Sequence, residues 1–154
     1  MPITTAELLM FLRTQRLAVQ ASRGADDSLQ AALVGIAVTD SLEIVFDTLA
    51  TTRKARNLRV SPRAALVIGG WLSGDERTVQ YEGIADEPTG PDLDRLKATY
   101  FAAWPDGPSR ANWPGLTYLR LRPTWIRYSD FNQNPPLITE FTRQDLGAPP
   151  ANEH

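Results

Sequence analysis

A threonine-rich turn followed by two adjacent cations is the strongest chemical feature of this chain. Thr48, Thr51 and Thr52 close an apolar segment, Arg53 and Lys54 follow directly, and Arg56, Asn57 and Arg59 complete a short polar run that stops at Ser61-Pro62. Hydroxyls leading into a helix that begins with cations suit a phosphate. The first N–H groups of a helix lack intrahelical partners, its dipole is positive there, and Arg and Lys add formal charge. Arg56 and Arg59, three residues apart, share one helix face and read as solvated. Arg53 and Lys54 stand where the phosphate would be held.

Little else in the chain can do chemistry by side chains alone. The one histidine is His154, the last residue, and there is no cysteine. A histidine-dependent triad, a thiolate nucleophile, a disulfide and an ordinary zinc site are all excluded, and no metal site is expected. The acid pairs Asp26-Asp27 and Asp75-Glu76 fall in polar turns, where carboxylates bond the local backbone. Gly69-Gly70 does not make a dinucleotide fingerprint. This poverty favours a bound organic cofactor, which carries reactivity itself and asks the protein only for binding and orientation.

The elements around the turn read as a mainly β fold with short helices. Thr4-x-x-Glu7 is a capping box opening a helix with Leu8, Phe11 and Leu12 on its apolar face. Arg16 to Arg23 alternates, with Leu17, Val19 and Ala21 predicted inward, and the polar cluster 24–28 turns the chain. Leu29 to Thr39 reads as one long strand, apolar on both faces and so inside a barrel wall. Glu43 to Asp47 is a strand with Ile44 and Phe46 on one face. Strands are predicted at Ala64–Trp71, Arg77–Ala85, Leu116–Arg122 and Thr124–Tyr128, the last two separated by Pro123. A helix covers Pro91–Ala103. Trp104 to Gly115 reads as an irregular loop free to cover a ligand, and Trp104 or Trp113 is a candidate lid for a bound ring. Trp71 and Trp125 are expected in wall or interface packing. About seven strands in a meander with inserted helices point to a small, mostly antiparallel barrel rather than βαβ units. Residues 1–131 form one domain. Residues 132–154 form an extended tail, disordered in its last stretch, GAPPANEH.

At 154 residues, 42% hydrophobic and 22% charged, the chain can bury a core without staples. Its net charge of −2 gives no general support for nucleic-acid binding. The start MPITTAELLMFLRT lacks the features of a signal peptide, and no run approaches the roughly 18 apolar residues of a membrane span. A cytoplasmic protein with no nucleic-acid and no membrane partner is the expectation.

Thr48-x-x-x-Thr52-Arg53-Lys54, Asn57-Leu58 and Ser61-Pro62-Arg63-Ala64 before an apolar strand resemble the phosphate-binding signature of the pyridoxamine 5′-phosphate oxidase-like FMN-binding split barrels. The block WLSGDERTVQYEG, residues 71–83, resembles the strand that follows it in that family. The resemblance covers roughly residues 5–130. It implies a split β-barrel, an obligate homodimer with flavin at the subunit interface, and FMN as cofactor. It places Asp47 and Thr48 at the phosphate or ribityl chain, Thr52, Arg53 and Lys54 at the phosphate, and Thr78 near the flavin ring, where the true oxidase has a glutamine. Two departures are plain. Arg and Lys of the oxidase's second strand correspond to about Ala32 and Ala37, and its C-terminal substrate motif has no counterpart after Tyr128. The resemblance therefore implies an FMN-binding oxidoreductase acting on some other small molecule, not on pyridoxamine phosphate. A deazaflavin-binding reductase and a non-catalytic flavin-binding or interaction barrel are the alternatives.

Overall fold

The computed structural model describes residues 1–151, so the end of the predicted disordered stretch, 152–154, lies outside the described residues. The elements run α1 (Thr5–Thr14), β1 (Leu17–Arg23), β2 (Leu29–Gly35), β3 (Ala37–Val38), β4 (Ile44–Leu49), α2 (Arg53–Val60), β5 (Arg63–Gly69), β6 (Arg77–Asp86), α3 (Gly90–Ala103), α4 (Gly107–Arg110), β7 (Leu116–Asp130) and β8 (Leu137–Phe141). None of these helices is long and apolar enough to cross a membrane.

One antiparallel sheet follows the path β2-β1-β5-β6-β7-β4-β3, with β8 joined to the far half of β7. Its first and last members are consecutive in the chain, separated only by Ile36, so the sheet has to curl until its two ends meet. β2 and β4 approach one another there without pairing. This is the split barrel expected from the sequence. Its interior is filled by Phe46, Leu66, Ile68, Tyr81, Leu121 and Ile126, all essentially inaccessible. The Tyr81 hydroxyl reaches the carbonyls of Leu42 (2.9 Å) and Leu121 (3.0 Å), so its burial leaves no unmet donor.

α1 forms with its capping box intact and seals one end of the barrel with Leu8, Phe11 and Leu12. α3 lies outside, over Ala37, Val45 and Tyr118, which form a smaller second core with its Leu96 and Tyr100. Arg120, only 3% exposed, ties this layer together by donating to Asp86 (2.6 and 2.9 Å), Asp92 (2.8 Å) and Glu43 (3.3 Å). A buried guanidinium is tolerated only when so paired.

Four expectations are corrected by this arrangement. The predicted strand Leu29–Thr39 breaks at Ile36, because one chain has to leave the β1 edge and join the β4 edge. Its outer side is not buried: Leu29 is 85% and Leu33 62% exposed. In β1 the faces are reversed, with Ala18, Gln20 and Ser22 inside and Leu17 and Ala21 outside. Alternation distinguishes two faces but not which of them meets the core. The strands predicted on either side of Pro123 are one continuous strand, β7. Proline is accommodated because β7 pairs with β4 only over 116–121 and with β8 only over 126–130, leaving a gap around it. The register with β6 also shifts there, at Glu82/Gly83. Finally, β8 is a strand inside the segment read as an extended tail.

The bulge makes Gly83 obligatory. A β-carbon at this position would lie 2.7 Å from the Arg122 carbonyl oxygen, a backbone atom that cannot swing aside. Gly83→Ala is expected to destabilise the fold by about 2 kcal/mol, the usual range for an overpacked interior, measurable as a lowered denaturation midpoint at unchanged slope.

Candidate functional site

β4 ends where the chain must turn sharply into α2, and threonine hydroxyls build that turn. Thr52 caps the helix, accepting from the Ala55 N–H at 3.4 Å and donating to the Leu49 carbonyl at 2.9 Å. With its proton so directed, Thr52 Oγ1 is the acceptor in the 3.1 Å contact with the buried Thr48 hydroxyl. Arg53 and Lys54 open the helix, and its first turn contains no acidic residue. Among the described residues, neither of them nor Arg56 takes part in an ion pair. Three uncommitted cations around a hydroxyl-lined helix start form a region of positive potential.

Arg59 is exposed, as the spacing suggested, but it is not free. It pairs with Glu87 (2.8 Å) and donates to the Ala50 carbonyl (3.0 Å), bracing the turn from behind. Ala50 N–H also donates to the Gly115 carbonyl at 2.7 Å. The turn is thus held on both sides by backbone contacts.

Asp47 is carried to a different place. Successive strand residues face opposite ways, so Thr48 joins the turn while Asp47 enters the outer layer. There Tyr100 donates to Asp47 Oδ1 (3.0 Å), and Arg110 Nε donates to Oδ2 (3.2 Å). Arg110 also reaches the Tyr100 hydroxyl (3.2 Å). Burial, reinforced by the neighbouring Asp47 charge, pushes the Tyr100 phenol well above its ordinary value, so it serves as a fixed donor. The structure brings Thr48, Thr52, Arg53 and Lys54 to one turn and engages Asp47 elsewhere.

Thr78 also stands apart within the chain. Thr48 pairs with Thr117 and Thr78 with Ser129, at opposite ends of β7. Ala32 lies on the inner face of β2 opposite Gln20, and Ala37 is buried under α3.

The loop from Trp104 to Gly115 is not a free cover. It contains α4, and Trp104 anchors its start by donating to the Ile36 carbonyl at 2.9 Å. The indole lies so close to Gly35 that a β-carbon there would sit 2.6 Å from it, and Arg16 stacks on the ring, 4.2 Å from its centroid. Arg110 anchors the loop's middle on Asp47. Trp104 is therefore a wedge at the break between β2 and β3, while Trp113 is 53% exposed. Trp71, at 43% exposed, does not pack in the wall of the barrel.

One polar cluster escaped the sequence reading. Asn57, on the buried side of α2, donates to Ser22 Oγ (3.1 Å) and Gln30 Oε1 (3.0 Å). Gln20 lies beside Ser22 on the same inward face. Its signal in the sequence is the polar half of the β1 alternation, Gln20 and Ser22, which the pattern alone places toward solvent.

Residues 4–130 match the family model described as pyridoxamine 5′-phosphate oxidase. No curated protein sequence matches the chain. Among solved structures, a heme-binding protein from Mycobacterium smegmatis superposes with a TM-score of 0.79 at 17% identity, covering 96% of this chain. The chain spans 62% of that protein's length. A conserved hypothetical protein from Mycobacterium tuberculosis gives 0.69 at 23% identity, covering 99% of this chain and 92% of its own. A pyridoxamine 5′-phosphate oxidase-related, FMN-binding protein from Nostoc punctiforme gives 0.66 at 12% identity, covering 89% and 87%. At these identities the likeness is one of fold.

Proposed function

The chain belongs to the pyridoxamine 5′-phosphate oxidase family, and from that premise we propose that it binds FMN and acts as an oxidoreductase on a small molecule. The carrying observation is the β4–α2 turn, with Thr48 and Thr52 joined by a hydrogen bond and Arg53 and Lys54 in no ion pair among the described residues. Arg53 and Lys54 hold the phosphate, the helix start supplies backbone donors, and the threonine hydroxyls fix the approach. Flavin, when bound, supplies hydride and single-electron exchange that no side chain here offers. Ala32 and Ala37 in place of the oxidase's cations direct the activity away from pyridoxamine phosphate.

The working unit is a homodimer with the flavin at its interface. The outward face of β2, β1 and β5 supports this reading: Leu17, Leu29, Leu33 and Val67 are exposed on it, with only alanines and Val19 between them over most of its area. An apolar sheet face of this kind marks an interaction surface. A shared site also gives Thr78 a role, since a second protomer can bring it to a flavin whose phosphate rests on the first.

Flavin is favoured over haem because the described residues include no histidine or cysteine, the commonest side chains for holding haem iron. A deazaflavin coenzyme is the second reading, and Arg56, a third cation without an ion pair among the described residues, would suit a further anionic group on such a ligand. Mass spectrometry of the cofactor released from purified protein distinguishes them. FMN is the expected mass. Release of haem or deazaflavin, or a colourless protein that takes up no added FMN, would overturn the first reading.

A further inference from the structure

A cleft of about 460 Å³ opens between α1 and α3. Arg13 and Arg16 line one side of it and Thr99, Ala102 and Ala103 the other, and the strand break at 36–38 completes it. Its volume is that of a small-molecule site, and a mostly apolar wall with a few convergent polar groups is the usual make-up of one. No residue lining it carries a carboxylate. The cleft is separate from the phosphate turn. α2 touches β1 where Asn57 donates to Ser22, and Arg16 precedes Ser22 by six residues, roughly 20 Å along an extended strand.

Both arginines are held from behind. Arg13 gives Nε and Nη2 to the Val38 carbonyl (3.3 and 3.1 Å) and Nη2 also to Asp40 (2.7 Å), so among the described residues its Nη1 has no partner. Arg16 gives Nη2 to the Ala103 carbonyl at 3.3 Å and lies over the Trp104 ring at 4.2 Å. It enters no ion pair among the described residues. A guanidinium already fixed by a stack and a carbonyl has less rotamer freedom to lose when it meets an anion. Closing the end of α3 accounts for the one bond to Ala103. It does not account for the donors left over beside an apolar hollow.

The charge balance narrows the ligand. α1 ends at Thr14 and α3 at Ala103, so both bring C-terminal carbonyls to the cleft, each equivalent to roughly half a negative charge. Against two guanidiniums this leaves about one positive charge, because Asp40, with 93% of its side chain exposed, is largely screened by water. That balance suits a monoanion better than a phosphate dianion, and a guanidinium fork matches a carboxylate.

We infer that this cleft is a second ligand site, taking a small carboxylic acid whose carboxylate meets Arg13 and Arg16 and whose compact apolar body lies against Ala37, Ala102 and Ala103. The site stands independently of the flavin reading above.

Benzoate serves as the probe, with benzamide as its neutral isostere and phenyl phosphate as the dianion, each titrated into the full chain by ligand-observed NMR with and without saturating FMN. Benzoate should bind wild type with a dissociation constant on the order of 1 mM, fitting for so small a ligand, and the other two about tenfold more weakly or worse. Arg16→Gln should weaken benzoate about 10–100-fold, the loss of a charge-assisted hydrogen bond. Ala102→Phe keeps both cations and fills the hollow, so it should weaken benzoate about tenfold or more, and it decides the matter if Arg16→Gln does not fold. Saturating FMN should change none of these values. Failure of benzoate to bind wild type, equal binding of benzamide, tighter binding of phenyl phosphate, or an affinity unchanged by Ala102→Phe would each overturn the assignment. Displacement of benzoate by FMN would put it on the flavin site and overturn a separate one. A wild type that binds benzoate but no FMN would overturn the functional reading and leave the carboxylate site standing.

Discussion

Arg53→Ala is expected to weaken FMN roughly 10–100-fold while leaving riboflavin almost unaffected. A charge-assisted hydrogen bond contributes about 1.5–3 kcal/mol, which converts to that range of affinity. The effect should be large because, among the described residues, Arg53 has no ion-pair partner to release before meeting the phosphate and no neighbouring carboxylate in its helical turn to compete with it. Riboflavin lacks the phosphate and therefore reports everything except the clamp. Equal losses for the two ligands would show that the substitution acts on the fold of the turn. Raising the salt concentration should weaken FMN binding as well, since these cations are accessible to solvent ions.

The second large effect concerns the outer face of the sheet. Val19 of β1 is paired in register with Leu33 of β2 on one side and Val67 of β5 on the other, so these three side chains form the centre of the apolar face. If a second copy covers them, Leu33→Glu buries an uncompensated carboxylate in the contact, a cost that an interface does not withstand. Light scattering should then report a particle of 17.1 kDa, the mass of one chain, where wild type gives twice that, and FMN affinity should fall with the shared site. Leu33 is 62% exposed in the single chain, so the folded monomer should tolerate the substitution. A variant that stays dimeric would place the interface elsewhere. A wild-type monomer with flavin still bound would remove the dimer from the mechanism altogether.

Much of the architecture was legible because local rules and the tertiary fold agree. The Thr4–Glu7 capping box and the stop at Ser61-Pro62 satisfy backbone groups locally, and the proline in the first turn of α3 removes a donor that would have had no helical partner, so no tertiary contact is needed for any of them. The phosphate turn was legible for the same reason: Thr52 caps α2 by a contact three residues long. What escaped depended on partners distant in the chain. The inward face of β1 is polar because Asn57 and Gln30 meet Ser22 there, and no window around residue 20 contains both. Asp47 reads as part of the phosphate turn until Tyr100 and Arg110, more than fifty residues later, claim its carboxylate. The loop after α3 reads as unstructured because its anchors, Gly35, Ile36 and Asp47, lie elsewhere in the sequence. Pro123 reads as a strand break because the gap between β4 and β8 along β7 is a property of the assembled sheet.

β7 pairs with β4, β6 and β8, and among the described residues it is the one strand that joins β4 and its short partner β3 to the rest of the sheet. During vectorial synthesis, therefore, a nascent chain that has emerged only as far as residue 115 holds β1, β2, β5 and β6 as a possible four-stranded piece with an open side, and β4 with no neighbour but the two-residue β3. The phosphate turn, which hangs from the end of β4, cannot be fixed before β7 leaves the ribosome. Such an intermediate exposes apolar strand edges, so completion of this barrel, and of any ligand site on it, is a late event that follows translation of the last quarter of the chain.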